Sequence, residues 1–331
     1  MKVALIAFSA RGEALGRRMV RALEAAGDAC TLDRGGKGGC SLAGWTASHF
    51  DQWDALVFIG AAGIAVRAVA PHLKSKTTDP AVLCCDEGGR YCIPLVSGHI
   101  GGANALAARL AACCGSLAVI TTATDGRGLF AVDTWAVGQG LHICNPAGIK
   151  GVSARLLEGQ TVDLYSDWPV EGMPPPQVRI TQAEPCQIRI TDRVFEGDGL
   201  VLAPPSLALG VGCRRGTTRE AIERAFARVM GQYGLLHQAV GQVASIDLKA
   251  HEEGLLAFCE AHGYPFATYT AKQLARVAGR FTPSAFVQQV TGVDNVCERA
   301  ALAGGGRLCV PKQAGDGVTI ALARRGVSLH F

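Results

Sequence analysis

The first half of the chain repeats an order that few folds accommodate: an apolar segment of strand length, a turn, then a stretch with helical spacing. Residues 2–8 lead into a helix over 13–26, with Leu15, Met19, Val20 and Leu23 on one face. Residues 54–59 lead through Gly60-Ala61-Ala62-Gly63 into an apolar stretch over 64–70. Strands at 81–85 and 117–121 flank a helix over 99–114. Strands alternating with helices predict a mainly parallel sheet, which binds ligands where strands run out into glycine turns.

From residue 147 the pattern loosens: a helix to 157, then short strands at 162–165, 178–181, 187–190 and 199–202, with Pro174-Pro175-Pro176 as a stiff connector. A second strand–glycine–helix opening follows at 207–216, where Thr217 and Glu220 stand at capping-box spacing. Further helices are predicted near 247, 282 and 294, and closing strands at 307–310 and 317–323. The expectation is two α/β domains, 1–145 and 206–331, with mainly parallel or mixed sheets, joined by a smaller strand-rich middle segment over 146–205.

Composition narrows the function classes. With 331 residues, 49% hydrophobic and 18% charged, the chain is long and apolar enough for more than one core. The apolar stretch 106–120 is interrupted by Arg109 and Gly115, and the amino terminus lacks a signal-peptide pattern, so a soluble cytoplasmic protein is expected. A formal charge of +4, spread along the chain, argues against nucleic acid as a partner. None of the 13 cysteines stands at C-x-x-C spacing, so reduced, apolar use is expected and no protein-held metal.

Four segments carry candidate chemistry. Residues 84–104 hold Asp86, Glu87, Arg90, Ser97, His99, Gly101, Gly102 and Asn104. A carboxylate orienting the His99 imidazole makes a general base, although Asp86 capping a turn and His99 capping a helix would use the same residues. Thr121-Thr122-Ala123-Thr124-Asp125-Gly126-Arg127 brings hydroxyls, a carboxylate and a guanidinium to a strand end, or forms an ordinary Asx turn. Lys76 lies between Ser75 and Thr77 ahead of Asp79-Pro80. In the second half, Gly210-Val211-Gly212-Cys213-Arg214-Arg215-Gly216 offers amides and two arginines to an anion, without the lysine of a nucleotide-binding loop. Lys249, at a helix start, is a cation that needs an anion nearby.

Together these segments resemble the CbiG family of cobalamin biosynthesis, the cobalt-precorrin-5A hydrolases. The resemblance covers nearly the whole chain. It rests on residues 59–67, 76–79, 84–104 and 121–125 in the first half, and on 210–217, 245–255, 291–298 and Lys312 in the second, where the family's carboxyl-terminal domain is shared with CobE proteins. It implies opening of the ring A acetate δ-lactone of cobalt-precorrin-5A and departure of the two-carbon fragment at C20 as acetaldehyde. The cobalt arrives with the substrate, so no cofactor is expected.

For that reaction, His99 is assigned as general base with Asp86 or Glu87 orienting it, and Asp125 as the second proton carrier. Amides around Gly101 and Gly102, with Arg90, suit the oxyanion. Lys76, Arg214, Arg215 and Lys249 suit the carboxylate arms, and Gly60, Gly63, Ser97, Asn104, Thr124, Arg127 and Gly212 complete the expected substrate contacts. Other cobalamin-pathway enzymes and a second copy of the chain are the expected macromolecular partners, and no membrane. The main competing class is a corrinoid carrier without chemistry. An S-adenosylmethionine-dependent tetrapyrrole methyltransferase shares the substrate type, but no strong motif for it is present.

Overall fold

The computed structural model describes the chain except for Lys37, Lys76, Thr77, His99, Ile100 and residues 122–127. It divides into two compact units, 1–134 and 135–331.

The first unit is a six-stranded sheet in the order β2-β1-β3-β4-β5-β6, with β1 Lys2–Ala7, β2 Ala29–Arg34, β3 Ala55–Ile59, β4 Ala81–Cys85, β5 Tyr91–Val96 and β6 Leu117–Ala118. Strands β2, β1, β3 and β4 are parallel. Alternate residues of the inner strands enter two separate cores. Leu5, Val57 and Leu83 pack with Leu15, Met19 and Leu106, while Ile6, Phe58 and Val82 pack with Trp45, Phe50 and Val69. Burial on both faces is why these strands read as unbroken apolar runs.

The helix Ala10–Ala25 begins three residues earlier than its apolar spacing suggests, because Ser9 caps it by accepting from the Gly12 amide at 3.1 Å. The later helix runs over Ala103–Cys114, not from residue 99, and starts from Gly102 at φ 81°. Two differences decide the position of the candidate site. Residues 91–96, which carry Pro94 and resemble a loop, form β5 antiparallel to β4, with Val82 opposite Val96 and Cys85 opposite Cys92. The strand expected over 117–121 is only two residues long, and it runs parallel to β5.

The second unit contains two five-stranded sheets. In one, Val178–Ile180, Val162–Ser166, Ile188–Ile190 and Leu200–Ala203 lie parallel, with His142–Ile143 antiparallel at the edge and the helix Ala147–Leu157 beside them. In the other, Phe266–Tyr269, Val240–Ile246 and Leu207–Cys213 are parallel, and Val318–Arg324 and Arg307–Gly315 continue the sheet antiparallel. Mixed α/β sheets of this kind are the expected fold class. The fully buried Asp192 joins the two sheets by accepting from Arg324 at 2.7 Å and Ser206 at 3.2 Å. The helix Arg219–Tyr233 is capped by Thr218, one residue later than expected, since the Thr217 hydroxyl donates to the Arg214 carbonyl instead.

The glycines of the second opening serve packing. A Cβ on Gly210 would overlap the carbonyl oxygen of Cys297, and one on Gly212 would lie 2.5 Å from the Thr319 hydroxyl. The short helix Cys297–Leu302 therefore lies directly on the Leu207–Cys213 strand. No helix among the described residues is long and apolar enough to cross a membrane.

Candidate functional site

The antiparallel turn between β4 and β5 distributes the predicted residues of the first unit over opposite sheet edges. At the carboxyl edge of β4, Asp86 accepts from the amides of Arg90 and Tyr91 at 2.7 Å each and from Gly88 at 3.2 Å. Burial would raise its carboxyl, but these three amides and the nearby Arg90 guanidinium hold it below its ordinary value. Glu87 accepts from the Ser9 hydroxyl at 2.5 Å. Arg90 Nε lies 3.7 Å from Asp86, and Gly60 donates to the Cys85 carbonyl at 2.9 Å on the same edge. Gly63 lies just inside the helix Ala62–Val69, with open space where a Cβ would project.

Ser97 and Gly98 stand at the other edge, beyond Val96, which is opposite Val82. At about 3.4 Å per residue this places them roughly 17 Å along the ladder from Asp86. Ser97 donates to the Asp79 carbonyl at 3.0 Å, and the buried Asp79 carboxylate accepts from the Lys74 and Ser75 amides at 3.0–3.1 Å. Ser97 holds φ 56°, and a Cβ on Gly101 would overlap its Cβ. Asn104 is buried, and its backbone N–H donates to the Gly98 carbonyl at 2.9 Å. The chain leaves β6 toward this same edge, with the Val119 amide on the Cys92 carbonyl.

Among the described residues, Lys74, Ser75 and Asp79, Ser97, Gly98, Gly101 and Asn104, and Val119 after β6 thus share one edge, and Asp86, Glu87, Arg90 and Gly60 are at the other. Arg90, expected as a companion to the Gly101 and Gly102 amides, is at the opposite edge from them, and the imidazole that Asp86 or Glu87 is expected to orient lies outside the described residues. Asp86 is a turn cap, Glu87 is bound to Ser9 and Arg90 faces Asp86. His99, Lys76, Thr124, Asp125 and Arg127 lie outside the described residues.

In the second unit, Gly212, Arg214, Arg215 and Lys249 line one cavity of about 1120 Å³. Its floor is the end of the Leu207–Cys213 strand. Its walls come from the turn that follows, the start of the helix Glu253–His262, the helix Ala285–Thr291 and the turn between the last two strands of that sheet. Lys312 also lines it. The anion that Lys249 requires is Glu252, at 2.7 Å, with side chains only 14% and 8% exposed. Glu252 also accepts from the Gly216 amide at 2.6 Å, and so fastens the arginine-bearing turn to the helix start. A helix-capping role is the default for Glu252 from sequence, but its carboxylate makes no bond to its own helix.

Burial would raise the Glu252 carboxyl, yet the bonds from Lys249 and Gly216 outweigh it and the group sits below 4.5. A depressed folded-state value contributes stability that is complete above the unfolded value and is lost as pH falls through the folded one. Glu252→Gln is therefore expected to flatten the loss of stability below pH 4.5, measured as urea midpoints from pH 7 to pH 3, relative to the unsubstituted protein. Cys213, also in the cavity wall, has its thiol pushed up by burial, which suits an inert residue. Among the described residues, no three histidine, cysteine or acidic side chains are grouped to hold a metal ion.

Sequence reasoning reached the cations because two arginines follow a glycine turn. It gave Glu252 no role in the cleft, although its i,i+3 spacing from Lys249 was a usable signal. Leu248, Phe286 and Val290 also line the cavity, and no motif marks them.

Most of the chain has relatives. Residues 44–125 match the cobalamin synthesis G N-terminal family, 130–204 the cobalamin biosynthesis central region and 207–323 the cobalamin synthesis G C-terminus. A cobalt-precorrin-5A hydrolase from Salmonella typhimurium (strain LT2) is 35% identical over 298 residues, 82% of each chain. One from Priestia megaterium is 30% identical over 299 residues, 83% of this chain and 80% of that one. Protein CobE from Sinorhizobium sp is 37% identical over 125 residues, 37% of this chain and 81% of its own length. With all three segments matched in order, the chain belongs to the cobalamin synthesis G (CbiG) family.

Proposed function

We propose that this protein hydrolyses cobalt-precorrin-5A, opening the ring A acetate δ-lactone and releasing the C20 fragment as acetaldehyde to give cobalt-precorrin-5B. Relatives that share four-fifths of the chain bear the hydrolase name. The observation that carries the reading on structural grounds is the cleft of the second unit, where Arg214, Arg215 and Lys312 line one cavity large enough for a macrocycle. Such a substrate is a multiply anionic ring, and guanidinium groups pair with carboxylates through two parallel hydrogen bonds.

The chemistry has two steps. Water adds to the lactone carbonyl and the ring oxygen leaves on C20 as a hydroxyl. That hydroxyl then loses its proton, C20–O becomes a carbonyl, and the C20–ring bond breaks with its electron pair passing to the macrocycle. His99 is the base for the first step, Asp125 carries the proton of the second, and the Gly101 and Gly102 amides receive the oxyanion. Ser97, Asn104 and the Asp79 carboxylate shape the edge that carries Gly101. Lys76, Thr124 and Arg127 remain assigned to substrate contact.

The double substitution Arg214→Glu/Arg215→Glu is expected to raise KM about tenfold or more, since each charge-assisted bond contributes roughly 1.5–3 kcal/mol. Turnover at saturation should change little. Both parameters follow from acetaldehyde release coupled to an alcohol dehydrogenase and NADH consumption. An unchanged KM would remove the two arginines from substrate binding. The carrier alternative draws on the match of 37% of this chain to most of CobE. It predicts binding with no acetaldehyde.

A further inference from the structure

The cleft has a second wall of opposite chemistry. Leu248, Phe286 and Val290 are 65%, 72% and 60% exposed, yet all three line the cavity that holds Arg214, Arg215 and Lys312. Phe286 and Val290 are four residues apart on the helix Ala285–Thr291 and so share one of its faces. That face is not left over from a loosely held segment. Val287 packs against the cluster of Ala244, Ile246, Val293 and Val296. Ser284 caps the helix, and its amide donates to the Asp294 carbonyl at 2.9 Å. Leu248 comes from a different segment, next to Lys249.

Large apolar side chains gathered in water around one cavity cost free energy until something apolar covers them. A hydrophobic partner alone would leave the cations unmatched, and a small polyanion would leave the apolar wall wet. We infer that Leu248, Phe286 and Val290 form the platform for the apolar face of the macrocycle, while Arg214, Arg215 and Lys312 take its carboxylate arms. The ligand class is a tetrapyrrole-sized ring with free carboxylates at its rim. This rests on the hydrolase reading for the identity of the ring, and not for the two-walled recognition.

Binding of three probes to the full-length protein tests it: cobyrinic acid, a cobalt corrinoid with free carboxylate arms; dicyanocobinamide, the same kind of ring with amidated arms; and citrate, carboxylates without a ring. Cobyrinic acid should bind most tightly. Phe286→Ser/Val290→Ser should weaken cobyrinic acid and dicyanocobinamide by the same factor, about tenfold or more, and leave citrate unchanged. Arg214→Glu/Arg215→Glu should weaken cobyrinic acid far more than dicyanocobinamide. Because the substituted side chains are exposed, the fold should persist, and Leu248→Ser, from a separate segment, provides a second variant.

Cobyrinic acid binding within twofold of the parent for both apolar variants overturns the platform, as does equal affinity for citrate and cobyrinic acid. Acetaldehyde release from cobalt-precorrin-5A, assayed on the same proteins, separates the two claims. Platform-dependent binding without acetaldehyde removes the hydrolase reading alone. Acetaldehyde release with kinetics indifferent to Phe286, Val290 and Leu248 removes the platform alone.

Discussion

Replacing His99 with alanine is expected to lower acetaldehyde release from cobalt-precorrin-5A by about 10²–10⁴-fold, the usual contribution of a positioned general base. The expectation does not depend on a carboxylate partner at Asp86, which accepts from three backbone amides of its own turn. It draws on the described residues that flank His99 in sequence: Ser97, held at φ 56° and donating to the Asp79 carbonyl, and Gly101, which leaves no room for a Cβ. A non-glycine residue in the left-handed region costs of order 1–3 kcal/mol and persists where its surroundings impose it, which is common where a loop must present a group accurately. The variant should keep its thermal midpoint and its affinity for cobyrinic acid, so that the loss falls on kcat. Turnover within threefold of the parent would remove His99 from the chemistry, and Asp125→Asn would then be the next substitution to read.

The second large effect is on stability. Gly210→Ala would drive a Cβ into the Cys297 carbonyl oxygen and toward the Ala301 amide, and both are backbone atoms of a helix with Cys297, Ala300 and Ala301 fully buried. Backbone cannot rotate away as a flexible side chain can, so the helix Cys297–Leu302 must shift off the sheet. It would disturb Glu298, which accepts from the amides of Thr282 and Lys312, at 2.7 Å each, and from Asn295 at 2.6 Å. The cost is expected to be about 3 kcal/mol or more, a large share of a domain's stability. Gly231→Ala is the control: it lies in the helix Arg219–Tyr233 with nothing within 4 Å of a new Cβ, and should stabilise by about 0.5–1 kcal/mol. Urea midpoints that fall for Gly231→Ala and hold for Gly210→Ala would contradict the packing described.

The parts of the fold that could be read in the sequence are those where burial on both faces left no polar interruption. Strands β1, β3 and β4 have every residue after Lys2 buried, and their segments stood out as apolar runs. Strand β2, at the sheet edge, carries Thr31, Asp33 and Arg34 and has no such signature. Strand β5 was hidden by Pro94, a residue that ordinarily argues against an inner strand. That one omission moved the candidate site. Without β5, residues 84–104 read as one loop with Asp86 beside His99; with it, the carboxylates and Ser97 occupy opposite sheet edges.

The cleft was legible to the extent that its chemistry is local. Arg214 and Arg215 follow Gly212 within one turn, while Lys249, expected at a helix start, closes the short turn Asp247–Lys249 ahead of the helix Glu253–His262. Lys312 and the apolar wall come from segments far along the chain, and only the sheet order brings them together. An exposed Phe286 on a seven-residue helix carries no pattern that distinguishes a ligand platform from an ordinary surface residue.

The most direct test of the central claim is incubation of the purified protein with cobalt-precorrin-5A in heavy-oxygen water, following acetaldehyde and the macrocycle by mass spectrometry. Repeated turnover is predicted, with one acetaldehyde released per macrocycle converted and heavy oxygen in the newly freed ring A carboxylate. Tight binding of cobalt-precorrin-5A with the lactone intact and no acetaldehyde would contradict the account and leave the protein as a carrier of the intermediate.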